Sequence, residues 1–320
     1  MDKAYLILIA YALDLLLGDP HWFPHPVRFI GWLVTRFEQI LRRSLLSEKI
    51  AGAVLTVIIV GGTWWVSTVL VRLVKATSPL AGVSLSVVLL WTTLATRSMY
   101  TESNRIFDAL NKNKDLAGAR QALSMIVGRD TQDLNEPEIV RATVETIGEN
   151  ISDGIIAPLF YALLGGAPLA LAYKASNTLD SMVGYKNECY HDLGWASAKL
   201  DDLLNFVPAR ISGVLMITAA YLSGLDGKGA WRIFWRDRQK HPSPNSAHGE
   251  AAMAGALRIQ LGGATSYQGI ESAKPLLGDP IQRLEPECIR EAQRLMFITS
   301  LLGLVAVLGS TWTCNHYFHL

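Results

Sequence analysis

Glu149, Asn150 and Asp153 place three oxygen-bearing side chains within five residues, immediately before an apolar run that opens at Ile155. Carboxylate and amide oxygens grouped this way suit Mg²⁺, a hard cation that takes one or two carboxylates and shares phosphate oxygens with a substrate. Arg141, Glu145 and Glu149 recur at a spacing of four and so share one helix face, where a solvated Arg–Glu ladder explains the first two equally well. Gly128-Arg129-Asp130-Thr131 offers a guanidinium fork at a turn, suited to a phosphate or carboxylate. Asp130 or Thr131 could instead only cap the next helix.

Three further groups follow. Lys174, Asn177, Ser181 and Gly184 fall on one helix face, with Asp180 and Lys186 close in sequence. Small residues on such a face permit close helix packing, but that does not account for Lys174, Asn177 and Asp180 together. Lys199-Leu-Asp201-Asp202-Leu-Leu-Asn205, closed by Pro208 and Arg210, puts Asp201 and Asn205 on one face as they enter an apolar helix. His241-Pro-Ser243-Pro-Asn245 is a rigid non-helical loop because both prolines fix φ and remove a donor; it is read as a substrate contact or as a plain structural turn. Other signals fail: His21 and His25 are four apart, but Pro24 and Pro26 exclude a helical zinc pair, and no phosphate loop or nucleophile elbow is present.

The elements that must position these groups are membrane helices. Half of the 320 residues are hydrophobic, and the charged ones gather in loops. Six apolar segments qualify by length and lack of charge: approximately 4–17, 50–74, 80–95, 155–173, 206–222 and 295–312. The fourth is broken by Pro158, Gly165, Gly166 and Pro168, which predicts short or re-entrant helices lining a protein-enclosed cavity. The first carries Asp14 and no small-x-small cleavage site, so it reads as an uncleaved membrane helix. Basic residues concentrate in the loops at about 19–49, 96–154 and 225–294, which the positive-inside rule places in the cytoplasm; Arg72 and Lys75 are exceptions. The loop 174–205 is cytoplasmic only if the fourth and fifth segments do not both cross, and charge counting allows either arrangement.

Residues 103–128 show three- and four-residue apolar spacing, predicting a helix ended by Gly128. No alternating strand pattern appears. The expectation is an all-α, polytopic membrane protein with about four to six segments, forming a single domain over residues 1–320 with helical cytoplasmic loops. A net charge of +1 gives no reason to expect nucleic acid as a partner, and Cys189, Cys288 and Cys314 lack metal or redox spacing.

The motifs Asp19-Pro20 with His25-Pro26-Val27, Val127 to Thr131, Glu149 to Gly154, Asn177 to Tyr185, Leu200 to Asn205 with Pro208-Ala-Arg210, and His241 to Asn245 resemble, in order, those of the adenosylcobinamide-phosphate synthase family of cobalamin biosynthesis. They span nearly the whole chain. Lys199 stands where that pattern leads one to expect Arg, and Ser246 and His248 stand where small and aromatic residues are usual. The resemblance implies a multi-pass enzyme of the bacterial inner membrane that joins adenosylcobyric acid to (R)-1-aminopropan-2-ol phosphate, or to aminopropanol, through an amide. Activation by ATP with Mg²⁺ is implied, as are neighbouring membrane enzymes of late cobalamin synthesis as partners.

On that resemblance Glu149, Asp153, Asp201 and Asn205 are expected at the metal and phosphates, and Asp180, Lys174 and Glu149 are the catalytic candidates. Arg129, Asp130, Asn150, Asn177, Lys186, Arg210, His241, Ser243 and Asn245 are expected to bind substrate or phosphate. Two other functions stay open at this point, a signalling modulator from a related membrane family and a corrinoid transporter.

Overall fold

The computed structural model describes residues 2–20, 22–185, 187, 189–267 and 269–318. Its helices in chain order are α1 (Lys3–Leu17), α2 (Pro26–Arg42), α3 (Glu48–Thr56), α4 (Gly62–Thr77), α5 (Pro79–Trp91), α6 (Thr96–Asn111), α7 (Leu116–Ser124), α8 (Glu136–Ile151), α9 (Ala157–Val183), α10 (Trp195–Leu204), α11 (Phe206–Leu222), α12 (Gly227–Asp237) and α13 (Ser246–Leu257). A hairpin of β1 (Gln260–Tyr267) and β2 (Ile270–Gly278) precedes the long α14 (Glu287–Phe318). The all-α membrane class holds, with this hairpin as an addition that the sequence pattern did not announce.

Among the described residues, four stretches are long and apolar enough to cross a membrane: Glu48–Thr77, Pro79–Asn111, Glu136–Val183 and Glu287–Thr313. α10 and α11, interrupted at Asn205, pass that test only as a pair, and α1 has 15 residues, below the length required. The predicted break in the fourth segment takes two forms. A π-helical turn at Ser152–Ile156 sits just before Pro158, whose missing N–H cannot serve the carbonyl four residues earlier. Gly166 then leaves helical geometry altogether at φ 67°, two residues before Pro168.

The chain divides into two compact units. The first contains Met1–Ala95, Ala157–Asn205 and Leu304–Leu320. Within it α1 and α5 pack together, and α9 packs on α2, α4, α5 and α10. The indole of Trp91 donates to the Gly18 carbonyl at 3.0 Å, tying the end of α1 to the end of α5.

The second unit contains Thr96–Ile156 and Phe206–Gly303. Here α13 lies against α8, α11 and α12. The approach to α8 is close: a Cβ at Gly249 would stand 2.5 Å from the Gly148 carbonyl oxygen, so only glycine fits there. α8 starts at a capping box, with Asn135 accepting from the Glu138 amide at 3.0 Å and Glu138 accepting from the Asn135 amide at 2.8 Å. Neither Asp130 nor Thr131 is therefore its cap.

The single helix expected over 103–128 is two. Lys114 adopts φ 52°, and Asp115 caps α7 by accepting from the Gly118 amide at 2.9 Å; α7 ends at Ser124, before Gly128. A left-handed residue and a new N-cap interrupt the periodicity that suggested one helix.

Candidate functional site

In the second unit, α8 carries Arg141, Glu145 and Glu149 on one face, as their spacing predicts. Glu145 does not pair with Arg141. Its Oε2 lies 2.5 Å from Nη2 of Arg129, with the two side chains 2% and 6% exposed, and its Oε1 accepts the Gly262 amide at 2.8 Å. Gly262 and Gly263 have φ of 82° and 91°, and the hairpin register shifts between Leu261 and Gly263. That glycine bulge turns an amide out of the ladder and toward α8. Arg141 donates to the Ala264 carbonyl at 2.9 Å. Asp130 adds three contacts: its amide donates to the Ser266 carbonyl at 2.9 Å, and its carboxylate accepts from the Ser266 hydroxyl at 2.6 Å and the Gly269 amide at 2.8 Å. Arg129 and Asp130, expected at a phosphate, thus hold the hairpin to the α7–α8 loop and to α8.

Two acids lie beside this clamp. Glu250 on α13 is 2% exposed; burial pushes its carboxyl up to about 8, opposed by Lys274 and Arg129 and reinforced by Glu145 and Glu149. Glu149 is exposed at the last turn of α8, Asn150 donates to the Thr146 carbonyl at 2.9 Å, and Asp153 is half-buried in the π turn. Toward the start of α8, a cleft of about 750 Å³ is lined by Glu136, Arg141, Gln260, Gly262, Arg283 and Glu285, among others.

The same unit holds a second charged corner. Ser243 donates its amide to Nδ1 of His241 at 3.1 Å, and its hydroxyl accepts the Asn245 amide at 3.3 Å. The loop is non-helical, as its prolines predict, and its own side chains add bonds within it. Arg210 on α11 reaches Oδ1 of Asn245 at 3.4 Å and lies 3.5 Å over the ring of Phe206. Arg238, just past α12, lies 3.9 Å over Trp235 and 5.7 Å from the centre of Phe234. The Phe234 ring also meets the imidazole of His248 edge-on at 5.6 Å. His248 is 1% exposed, and neither ring nitrogen has a partner among the described residues. Burial, followed by Arg210, pushes it down to about 4 against the Asn245 backbone, with Arg238 a smaller contributor, so the ring is neutral near pH 7.

In the first unit, Asn205 is buried and both ends of its amide are engaged. Its Oδ1 accepts from the Tyr173 hydroxyl at 2.8 Å, and its Nδ2 donates to Oδ2 of Asp201 at 3.0 Å. Tyr161 stacks on Tyr173 at 5.0 Å and donates to the Leu204 carbonyl at 2.7 Å, so the corner after α10 is fixed by aromatic side chains from α9. Lys174 donates to Oδ1 of Asn177 at 3.3 Å, and the Asp180 carbonyl accepts the Gly184 amide at 2.7 Å. Lys186 lies outside the described residues.

The structure bonds Asp201 to Asn205 and Lys174 to Asn177, which the sequence set on shared helix faces, and brings Arg210, read from the sequence with Asp201 and Asn205, to Asn245 of the His241–Asn245 loop. Sequence reasoning missed Arg238, Lys274 and the burial of His248, none of which falls in a local motif. Among the described residues no group of three or more His, Cys, Asp or Glu side chains could hold a metal. Of the donors expected at Mg²⁺, Glu149 and Asp153 lie one helical turn apart where α8 passes into the π turn, two carboxylates of the number that suits an ion completed by phosphate oxygens.

The model of the CobD/Cbib protein family matches residues 7–296. "Cobalamin biosynthesis protein CobD" of Geobacter metallireducens is 53% identical over 311 residues, covering 97% of this chain and 98% of that protein. The protein of the same name from Pelobacter propionicus is 49% identical over 305 residues, 95% and 94% of the two chains. "Cobalamin biosynthesis protein CbiB" of Salmonella typhimurium is 48% identical over 305 residues, 94% and 95% of the two chains. No solved structure matches.

Proposed function

This chain belongs to the CobD/CbiB protein family of cobalamin biosynthesis, and on that premise we propose that it forms an amide at a bacterial inner membrane. In this reading the free propionate carboxyl of adenosylcobyric acid is joined to the amine of (R)-1-aminopropan-2-ol phosphate, or of aminopropanol. The product is adenosylcobinamide phosphate or adenosylcobinamide. The supporting observation is the run Glu149 to Asp153: an exposed carboxylate on the last helical turn, then a half-buried one in a π turn, where the chain passes into an apolar segment. Polar groups at such a place are costly unless they serve a site.

A carboxylate is a poor acyl electrophile, and an ammonium is no nucleophile. ATP with Mg²⁺ would supply the activation of the carboxyl when bound; Glu149 with Asp153 in the second unit, and Asp201 oriented by Asn205 in the first, are each by themselves proposed to take a metal or a phosphate. Asp180 takes the proton that the ammonium must lose before it attacks. Lys174, oriented by Asn177, balances negative charge on the reacting groups. Asn205 and Tyr173 fix Asp201, so that its carboxylate needs little reorganisation during reaction. The three basic loops face the cytoplasm in this reading, which gives the enzyme access to soluble substrates.

Complementation tests the assignment. A bacterium lacking its own family member, supplied with adenosylcobyric acid, regains cobalamin-dependent growth when it expresses this chain, and cobinamide restores growth without it. Absence of rescue with the protein present in the membrane removes the proposal.

A further inference from the structure

We propose that the corner built by Arg210, Arg238, Asn245 and His248 at the start of α13 binds a phosphate group of a substrate. Three independent features converge there. First, two guanidinium groups lie near the same imidazole, and among the described residues neither has a carboxylate partner. The acid closest in sequence, Asp237, is taken up by Arg236, Lys240 and the Gly278 amide, at 2.8, 2.6 and 2.8 Å. Two cations left together without an anion suit a dianion better than a single carboxylate.

Second, α13 is a 12-residue helix whose first-turn amides have no side-chain cap. Asn245, at the capping position, accepts from Arg210 through the oxygen that would otherwise serve those amides. An N-terminus with no side-chain cap and no acidic residue in its first turn attracts anions.

Third, three polar atoms buried in this corner lack a partner among the described residues: Nε of Arg238 and both ring nitrogens of His248. Buried polar groups are ordinarily hydrogen-bonded, so an imidazole that is 1% exposed, beside two arginines and with only the Asn245 backbone near it and no bond of good geometry, marks a place where a ligand completes the bonding. As a neutral ring His248 offers one N–H to a phosphate oxygen without adding a third cation. The rings of Phe234 and Trp235 hold it and Arg238 in place.

The assignment deepens the amide-forming reading above and rests on it for the identity of the phosphate, which belongs either to the aminopropanol phosphate or to the nucleotide. Titration calorimetry on the full chain in detergent, with inorganic phosphate, (R)-1-aminopropan-2-ol phosphate, unphosphorylated aminopropanol and Mg·ATP as separate probes, tests it. The wild type binds inorganic phosphate. Arg238→Gln and His248→Phe weaken that binding by about tenfold or more while the melting temperature stays within a few degrees. Arg238→Lys, which keeps the charge but loses the fork, loses less.

A parallel loss for aminopropanol phosphate but not for aminopropanol assigns the corner to the amine's phosphate; a loss for Mg·ATP alone assigns it to the nucleotide. Unchanged affinity for all three phosphate-bearing probes, in variants that melt as the wild type does, overturns the proposal. The two readings fail separately. Phosphate binding lost in Arg238→Gln, in a protein that never makes an amide, keeps the site and removes the ligase. Amide formation with wild-type phosphate affinity in that variant does the reverse.

Discussion

Around Glu145 the charged side chains are held by other parts of the chain: Arg129 and the Gly262 amide take its two oxygens, and Arg141 and Asp130 fasten the rest of the hairpin. Around His248, in the same unit, two arginines and an imidazole come together with buried nitrogens that the described chain does not satisfy. Both regions combine arginine with buried polar groups, and a motif reading assigned both to phosphate. The difference separates a clamp from a binding place: where protein groups complete the bonding the charges position structure, and where they do not, a ligand is expected.

The comparison can be broken at the clamp. Glu145→Gln leaves the Arg129 guanidinium buried without its counter-charge, and losses from half of a buried pair run to about 3–5 kcal/mol. Melting should fall steeply, and activity should fall only as the folded fraction does. Replacing Arg129 and Glu145 together by apolar residues of similar size should restore most of that stability. A double variant as unstable as the single one, or a single variant that melts normally but is inactive, would put the clamp in the reaction.

Glu149 sharpens it from the other side. It is exposed, so Glu149→Gln should leave melting and membrane insertion intact while the rate of amide formation falls more than about a hundredfold. A near-normal rate removes it from the site. Arg238→Gln is next in size: a rise of about tenfold in the KM for the phosphorylated substrate, kcat changing less, and unaltered melting. A fall in stability would class it with the clamp.

An effect confined to alkaline pH is expected at Glu250. Its carboxyl stands at about 8 when folded and near 4.5 when unfolded, so the folded state holds the extra proton between those values. The stability from this group is complete below about pH 4.5 and lost as pH rises through about 8. Glu250→Gln stays neutral and should melt above the wild type at about pH 8.5, with the difference vanishing near pH 5. A difference that grows toward acid would show that Glu250 is ionised and paired.

Local sequence made much of this legible. The break near Gly166 and Pro168 follows from what proline and glycine do to a helix, and the Asp201–Asn205 and Lys174–Asn177 bonds follow from helical spacing. The hairpin was not legible because neither strand alternates apolar and polar residues and one carries Pro275. Its attachment depends on Glu145 meeting Gly262, 117 residues away, a contact no local periodicity encodes. His248 entered the reading only as a departure from a family pattern, since a side chain's burial depends on how α11, α12 and α13 pack. The charges proved easier to find than their partners, and it is the partners that decide whether a charge serves fold or chemistry.

The most direct measurement is amide formation by the purified, detergent-solubilised chain from adenosylcobyric acid, aminopropanol phosphate and Mg·ATP, with each component omitted in turn and the product identified by mass. The account predicts product only when the corrinoid acid, the amine and Mg·ATP are all present. Tight corrinoid binding with no amide formed under any combination would contradict it.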